Sequence, residues 1–281
     1  MVTNSSLSSK NYIRELLQSR GMYAKKHFGQ NFLTDAHVLA KIVAACELEP
    51  EDLVLEIGPG LGVLTRELSI RAGRVVAVEI DHEMVEILNE TVARENPNVT
   101  IVRDDILKAD IKGILGDART IKVCANLPYY ITTPVIFGLL EQGLPISQMV
   151  VMVQKEVADR FLAPAATKAY GIPTITLAYY GKAELVANVP PHSFHPRPDV
   201  HSAVIKITAA APDPTINPQN FFPLVRAAFA NRRKTLVNNL NAHLGLTKEK
   251  AHALLVDTGL SPTIRGEALT FEDFANLSRR M

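Results

Sequence analysis

Leu53-Val54-Leu55-Glu56-Ile57-Gly58-Pro59-Gly60-Leu61-Gly62 reads as a buried strand running into a glycine-rich turn. An aliphatic run of this length, closed by Gly and Pro, suits a strand covered on both faces. The glycines stand where the backbone must turn sharply and a ligand can come close. Beyond the turn, Thr65 to Arg71 completes a helical pattern. Further along, Arg74 to Ile80, Val99 to Val102, Ile121 to Ala125 and Met149 to Val153 read as more buried strands. Between them Asp81 can cap a helix with Met84, Val85, Leu88 and Val92 on one face, and Thr133 to Glu141 gives another helix. Such alternation argues for an α/β, Rossmann-like, mostly parallel sheet with helices on both faces. After Tyr170 the rhythm changes: Ile172 to Tyr180 is helical, and Glu184 to Val189 with Ser202 to Thr208 alternate like a strand pair at the sheet edge, one of them antiparallel.

Residues 209–220 hold three prolines and no apolar period, so a linker is expected there. Past it, Phe221 to Ala230, Lys234 to Leu244, Lys248 to Thr258 and Phe271 to Arg280 form a small helical bundle. The expected organisation is a basic segment over 1–30, the sheet domain over 31–208, the linker, and a helical domain over 221–281. With 281 residues, 47% hydrophobic and 21% charged, the chain can bury a full core, which excludes a stapled mini-protein or a disordered chain. Cys46 and Cys124 match no metal-ligand spacing and read as reduced, buried thiols, so no metal is expected. The first 25 residues lack a secretory pattern, and no run approaches the roughly 18 apolar residues of a membrane span. A cytoplasmic protein without membrane contact is expected.

The net charge of +1 hides an asymmetry. Residues 1–30 carry five Lys/Arg against one acid, residues 31–205 carry 15 against 22, and residues 206–281 carry ten against six. Basic ends around an acidic middle fit ends that approach a polyanion, and fit equally a solvated surface with chance clustering. The motifs must decide.

In the glycine-rich turn the third glycine comes one residue earlier than in a dinucleotide fingerprint, with Val63 in its place, which weakens a reading as an NAD-linked oxidoreductase. Glu79 ends the next strand nineteen residues after Gly60, near the spacing at which an acid meets ribose hydroxyls. Glu56, at the end of the first strand, disfavours a pyrophosphate and suits a ligand bearing a sulfonium and an ammonium, so S-adenosylmethionine is favoured. Asp104 and Asp105 end the third strand, where an acid can accept from an adenine amino group. Each acid alone would serve as a helix cap; three at the carboxyl ends of successive strands point to a ligand.

Asn126-Leu127-Pro128-Tyr129-Tyr130 follows the fourth strand. The Asn126 side-chain oxygen and a backbone carbonyl, that of Pro128, can each accept from one exocyclic amine, and Tyr129 offers a face on which a base stacks. Such acceptors favour a pyramidal nitrogen whose lone pair points at a methyl group. Phe194, on the loop Phe194-His195-Pro196-Arg197-Pro198-Asp199-Val200, is expected on the opposite face of the same base. The bland alternatives, an Asn-Pro turn and a proline-rich connection, carry comparable weight when each motif is taken singly.

Taken together these residues resemble the rRNA adenine N6,N6-dimethyltransferase family from about Lys25 to the last helices. The likeness includes Lys26-His27-Phe28-Gly29-Gln30-Asn31-Phe32-Leu33, the turn at Gly58, Val78-Glu79-Ile80-Asp81, Asp105-Ile106-Leu107, Asn126-Leu127-Pro128-Tyr129, Gln154-Lys155-Glu156-Val157-Ala158 and Phe194 to Val204. It implies a class I methyltransferase fold binding S-adenosylmethionine. Gln30, Asn31 and Leu33 would close over the methionine part, Gly58 and Gly60 form the loop, Glu79 meet the ribose, Asp105 the adenine, and Asn126 the methyl-transfer junction. The segment Ala228 to Leu240, with Arg265-Gly266-Glu267 later, looks like the branch acting on small-subunit 16S rRNA. That implies dimethylation of two adjacent adenines within a 30S subunit or its precursor by a monomer. Lys25, Lys26, Arg232, Arg233 and Lys234 are candidate RNA contacts, although a basic triplet at a helix junction also suits a solvated helix end. The alternatives are a 23S rRNA adenine methyltransferase of the macrolide-resistance type, a DNA adenine methyltransferase, and an assembly factor whose binding outweighs catalysis.

Overall fold

A computed structural model describes residues 10–21, 23 and 29–281. The chain divides into two compact units: the first takes in the described residues up to Ala158 together with Glu184–Ala209, the second Asp159–Ala183 and Ala210–Met281.

The strands are β1 (Phe32–Leu33), β2 (Leu53–Ile57), β3 (Arg74–Glu79), β4 (Val99–Arg103), β5 (Ile121–Asn126), β6 (Ile146–Gln154), β7 (Gly181–Val189), β8 (Phe194–His195) and β9 (Ser202–Ala209), all in the first unit but for the first three residues of β7. Seven of them form one sheet in the order β4-β3-β2-β5-β6-β9-β7. The pairs β2/β3, β3/β4, β2/β5 and β5/β6 are parallel. Strand β9 runs antiparallel to β6 and lies one place in from the edge, with β7 outside it. Val54, Leu55, Val75, Val76, Ala77, Val123, Met149, Val150 and Val151 are fully buried, as continuous apolar runs in a sheet covered on both faces must be.

The helices follow from their caps and faces. Helix α1 (Lys10–Ser19) buries Ile13 and Leu17, one turn apart, against Phe32, Leu61, Met84 and Ile87. Part of the expected basic segment is therefore a docked helix. Helix α2 (Ala36–Ala45), absent from the strand-and-helix reading above, starts at Asp35, whose carboxylate accepts from the backbone N–H of His37 and Val38. Helix α3 (Val63–Ser69) leaves the glycine turn. Asp81 caps α4 (His82–Leu88) as expected, accepting from Glu83 N–H at 3.2 Å. Helices α5 (Ile111–Leu115) and α6 (Thr132–Glu141) complete the crossovers.

Chain order in the sheet explains where a ligand must sit. From β2 the chain steps outward through β3 and β4, then returns to β2's other side for β5 and β6. The switch point lies between the carboxyl ends of β2 and β5, where connections leave in opposite directions and open a crevice.

The second unit begins with residues expected in the sheet domain. The segment Asp159–Ala183 takes in the last residues of α7 (Lys155–Phe161) and all of α8 (Ile172–Tyr180), and packs with α9 (Pro218–Ala230), α10 (Leu236–Leu244), α11 (Lys248–Asp257) and α12 (Phe271–Arg279). Tyr179 of α8 lies 5.2 Å from Phe221 and 5.0 Å from Phe222, ring centre to ring centre. Of residues 209–220, Ala209 ends β9 and the rest belong to this unit. Ile216 is buried, Asn217 caps α9, and Arg279 bonds Asp213 Oδ2 at 2.7 Å and Thr215 Oγ1 at 2.9 Å. Prolines mark the absence of a repeating period, which is compatible with a packed, irregular segment.

Candidate active site

Parallel pairing sets Ile57 beside Ala125, so Gly58 and Asn126 emerge side by side at the switch point. They share a cavity of about 190 Å³ with Asn31, Gly60, Glu79 and Asp105. The turn itself is built by two different uses of glycine. A Cβ on Gly58 (φ 65°) would meet only Pro128 Cδ at 3.9 Å, so this position is open to a ligand. On Gly62 (φ 79°) it would lie 2.5 Å from Val92 Cγ2, so the early third glycine serves close packing of the turn.

Glu79 is 7% exposed and ties the turn together. Its Oε2 accepts from Gly60 N–H at 3.2 Å and its Oε1 from Asp81 N–H at 2.9 Å. Burial pushes its pKa up, against the lowering effect of those bonds. Each oxygen keeps a lone pair for a further donor. At the next strand end, Asp104 Oδ1 accepts from Asp105 N–H at 2.7 Å, whereas Asp105 Oδ1 accepts from Leu107 N–H at 3.1 Å. Both acids line the cavity, and Asp105 also pairs with Lys108 at 3.4 Å.

Glu56 lines the cavity too, is 1% exposed, and has no partner on Oε2 among the described residues. Burial, opposed by the nearby Thr65 hydroxyl and reinforced by the Glu79 charge, pushes its pKa up to about 8. The sequence reading treated Glu56 as a standing carboxylate. Its burial with no cationic side chain beside it favours the protonated form instead.

At the other flank, Asn126 Nδ2 donates to the Asn31 carbonyl at 3.1 Å. That bond fixes the amide and leaves Oδ1 as an acceptor. The Pro128 carbonyl is already engaged, accepting from Ile131 N–H at 3.2 Å and Thr132 Oγ1 at 3.3 Å as the chain enters α6. The expectation that it supplies the second acceptor is corrected: Leu127, which also lines the cavity, has a carbonyl with no donor among the described residues. Residue type at 127 carries no signal for this, since the group belongs to the main chain. Tyr129 is half-buried at the cavity, its Oη 2.8 Å from Ser202 Oγ.

Phe194 does not join them. It is 2% exposed, sits opposite Leu33 in the short β1/β8 pair, and packs into the apolar core with Val189 and Val204. The aromatic expected at the base is thus turned inward by strand pairing. Gln30 donates to Asp81 Oδ2 at 2.9 Å, and Leu33 is buried against the cavity. Lys25 and Lys26, with His27 and Phe28 of the same motif, lie outside the described residues.

In the second unit Arg232 donates to the Lys168 carbonyl at 2.8 Å and to the Tyr170 carbonyl. One N–H on each terminal guanidinium nitrogen is thus given to the protein's own main chain, although the residue itself is exposed. Arg233 and Lys234 are exposed. Among the described residues no group of three His, Cys, Asp or Glu side chains is arranged to hold a metal ion, and no helix is long and apolar enough to cross a membrane.

Comparison with known proteins agrees with this geometry. The family described as "Ribosomal RNA adenine dimethylase" matches residues 21–281. A "Ribosomal RNA small subunit methyltransferase A" of Lachnoclostridium phytofermentans is 49% identical over 276 residues, covering 96% of this chain and 95% of that one. A protein of the same name from Streptococcus pneumoniae strain P1031 is 47% identical, covering 94% of each chain. Among solved structures, a dimethyladenosine transferase from Plasmodium falciparum aligns with a TM-score of 0.73 at 28% identity, over 87% of this chain and 95% of that one. The 23S rRNA methyltransferase ErmE aligns with a TM-score of 0.70 at 27% identity, over 89% of this chain and 99% of that one. With the switch-point cavity, its acids and Asn126 placed as described, the conclusion is that this chain is a methyltransferase belonging to the ribosomal RNA adenine dimethylase family.

Proposed function

We propose that the protein transfers methyl groups from S-adenosylmethionine to the N6 amines of two adjacent adenines in small-subunit (16S) rRNA, each methylated twice, within a 30S subunit or its precursor. The observation that carries this reading is the meeting of Gly58, Glu79 and Asp105 with Asn126 in one cavity. The residues fit the cofactor. Gly58 leaves room for close approach, Glu79 keeps lone pairs for two ribose hydroxyls, Asp105 suits an adenine amine, and buried Glu56 awaits a cation.

The cofactor, when bound, supplies a methyl group on a sulfonium, already an activated leaving group. The chain's own work lies on the nucleophile. Asn126 Oδ1 and the Leu127 carbonyl accept the two N–H bonds of the adenine amine, which draws the nitrogen toward a pyramidal shape and frees its lone pair. Tyr129 offers the stacking face, worth about 1–3 kcal/mol per base in single-stranded complexes. With the cofactor bound, the N–C bond would form as the C–S bond breaks to leave a neutral thioether, and the extra proton would leave the nitrogen for solvent, so no buried base is required. A paired adenine is out of reach, so the target is a loop nucleotide or one extruded from its stack.

Arg233 and Lys234, exposed on the second unit, serve as phosphate contacts, while Arg232 holds the segment beside them in place. The reading includes a monomer working without a metal in the cytoplasm. The relatives named for the small subunit, at 47–49% identity, favour that target over 23S rRNA, where the similar solved structure is 27% identical. The test is labelled cofactor with 30S particles lacking the modification, with 50S particles and DNA as parallel arms. N6,N6-dimethyladenosine in the 30S arm alone supports the reading. Its absence there, or its appearance in another arm, defeats it.

A further inference from the structure

Asn126 is held by the Asn31 main chain, yet the ring beside it has its own tether. Tyr129 Oη lies 2.8 Å from Ser202 Oγ. Ser202 is wholly buried and opens β9. It pairs with Gln154 at the end of β6, the strand whose Met152 pairs with Asn126. The serine hydroxyl is therefore mounted on the same ladder that carries the catalytic asparagine, two strands away. Tyr129 itself stands on the irregular turn between β5 and α6, where the backbone gives a side chain less support than a strand. A tyrosine anchored only at Cα swings about χ1; a second anchor at the phenol oxygen, the far end of the side chain, removes that freedom.

We propose that Ser202 is a positioning residue for methyl transfer: its hydroxyl fixes the Tyr129 ring so that the target adenine stacks with its amine against Asn126. This rests on the function proposed above. Geometry of this kind matters because a misplacement of about 1 Å in a reacting group can cost about 100-fold in rate. The bond joins a fully buried serine to a ring at the cavity edge, and no other side chain among the described residues bonds Tyr129. Its effect is local to the base, since Glu79 and Asp105 lie on the opposite flank.

The test uses the full chain with unmethylated 30S particles and four variants: Ser202→Ala, Tyr129→Phe, the double variant, and Tyr129→Ala. Loss of one hydrogen bond of ordinary strength predicts kcat lower by about 3- to 10-fold in each of the first two. The double variant should be no worse than either single one, because both remove the same bond. Affinity for S-adenosylhomocysteine by calorimetry should stay close to wild type, which a general structural defect would not permit, while Tyr129→Phe lowers the melting temperature modestly by leaving the buried Ser202 hydroxyl without its partner. Tyr129→Phe keeps the buried serine intact, so the prediction stands even if Ser202→Ala folds poorly. Losses that multiply in the double variant overturn the proposal. So does full activity of Ser202→Ala and Tyr129→Phe alongside an inactive Tyr129→Ala. Failure of the parent function reads differently: the wild-type protein itself then leaves the 30S particles unmethylated.

Discussion

Glu56 should act as a proton switch for cofactor binding. Its carboxyl is buried at the cavity wall with Oε2 unpartnered and a pKa of about 8. At pH 7 roughly one molecule in eleven then has Glu56 ionised. A sulfonium and an ammonium arriving in the cavity stabilise the carboxylate and draw its pKa down. With the bound pKa drawn well below 6, binding at pH 7 should release up to about one proton, and apparent affinity should rise by up to about tenfold between pH 6 and pH 7. In that interval the cofactor's own α-amino group, with an ordinary pKa of about 7.7–8.0, stays mostly protonated. The assay is calorimetry at pH 7 in buffers of different ionisation enthalpy, repeated at pH 6. Glu56→Gln should abolish both the proton release and the pH dependence. The sign for stability runs the other way in the empty protein. A carboxyl whose folded pKa is raised favours the folded state below its ordinary range and loses that contribution as pH rises to about 8. Cofactor affinity that is flat from pH 6 to 7, with no proton released, would refute the assignment.

Asn126→Ala should lower kcat by about 100- to 1000-fold, the scale for losing one preorganised polar group at a transition state, while affinity for S-adenosylhomocysteine in calorimetry changes by less than about 1.4 kcal/mol, a factor of ten. Arg232→Ala should destabilise the second unit by about 1–3 kcal/mol, since it strips partners from the Lys168 and Tyr170 carbonyls; denaturant unfolding reads this directly. Arg233→Ala and Lys234→Ala should leave that unfolding unchanged. Each should flatten the salt dependence of 30S binding by about one unit of log–log slope. Gly62→Ala should cost about 1–3 kcal/mol in the same unfolding assay, because its methyl would meet Val92 at 2.5 Å on a left-handed backbone.

The sheet was legible because its strands are short apolar runs that answer to local chemistry. Leu53–Ile57 is observed with the boundaries read from sequence, and Asp81 caps the helix it was expected to cap. The acids at the strand ends were legible for the same reason: their place follows from where each run stops. Contacts between distant segments were not. Nothing in the residue types shows that Pro128 spends its carbonyl on α6 and leaves Leu127 free, or that Phe194 is drawn inward by pairing with Leu33. Arg232 looked like its neighbours Arg233 and Lys234, and only the fold brings it to two main-chain carbonyls 64 and 62 residues away. Residues 209–220 likewise read as a linker because prolines conceal no period, yet Ile216 and Asn217 give them a fixed place. The buried state of Glu56 is a property of the whole cavity, and so escaped a reading residue by residue.

A crystal structure of the full chain with S-adenosylhomocysteine interrogates the arrangement most directly. Expected is a ribose whose hydroxyls bond Glu79, an adenine amine on Asp105, and a thioether sulfur directed toward Asn126 Oδ1 within reach of a methyl group. A ligand seated away from Gly58, or one whose sulfur faces away from Asn126, would contradict the assignment of this cavity to methyl transfer.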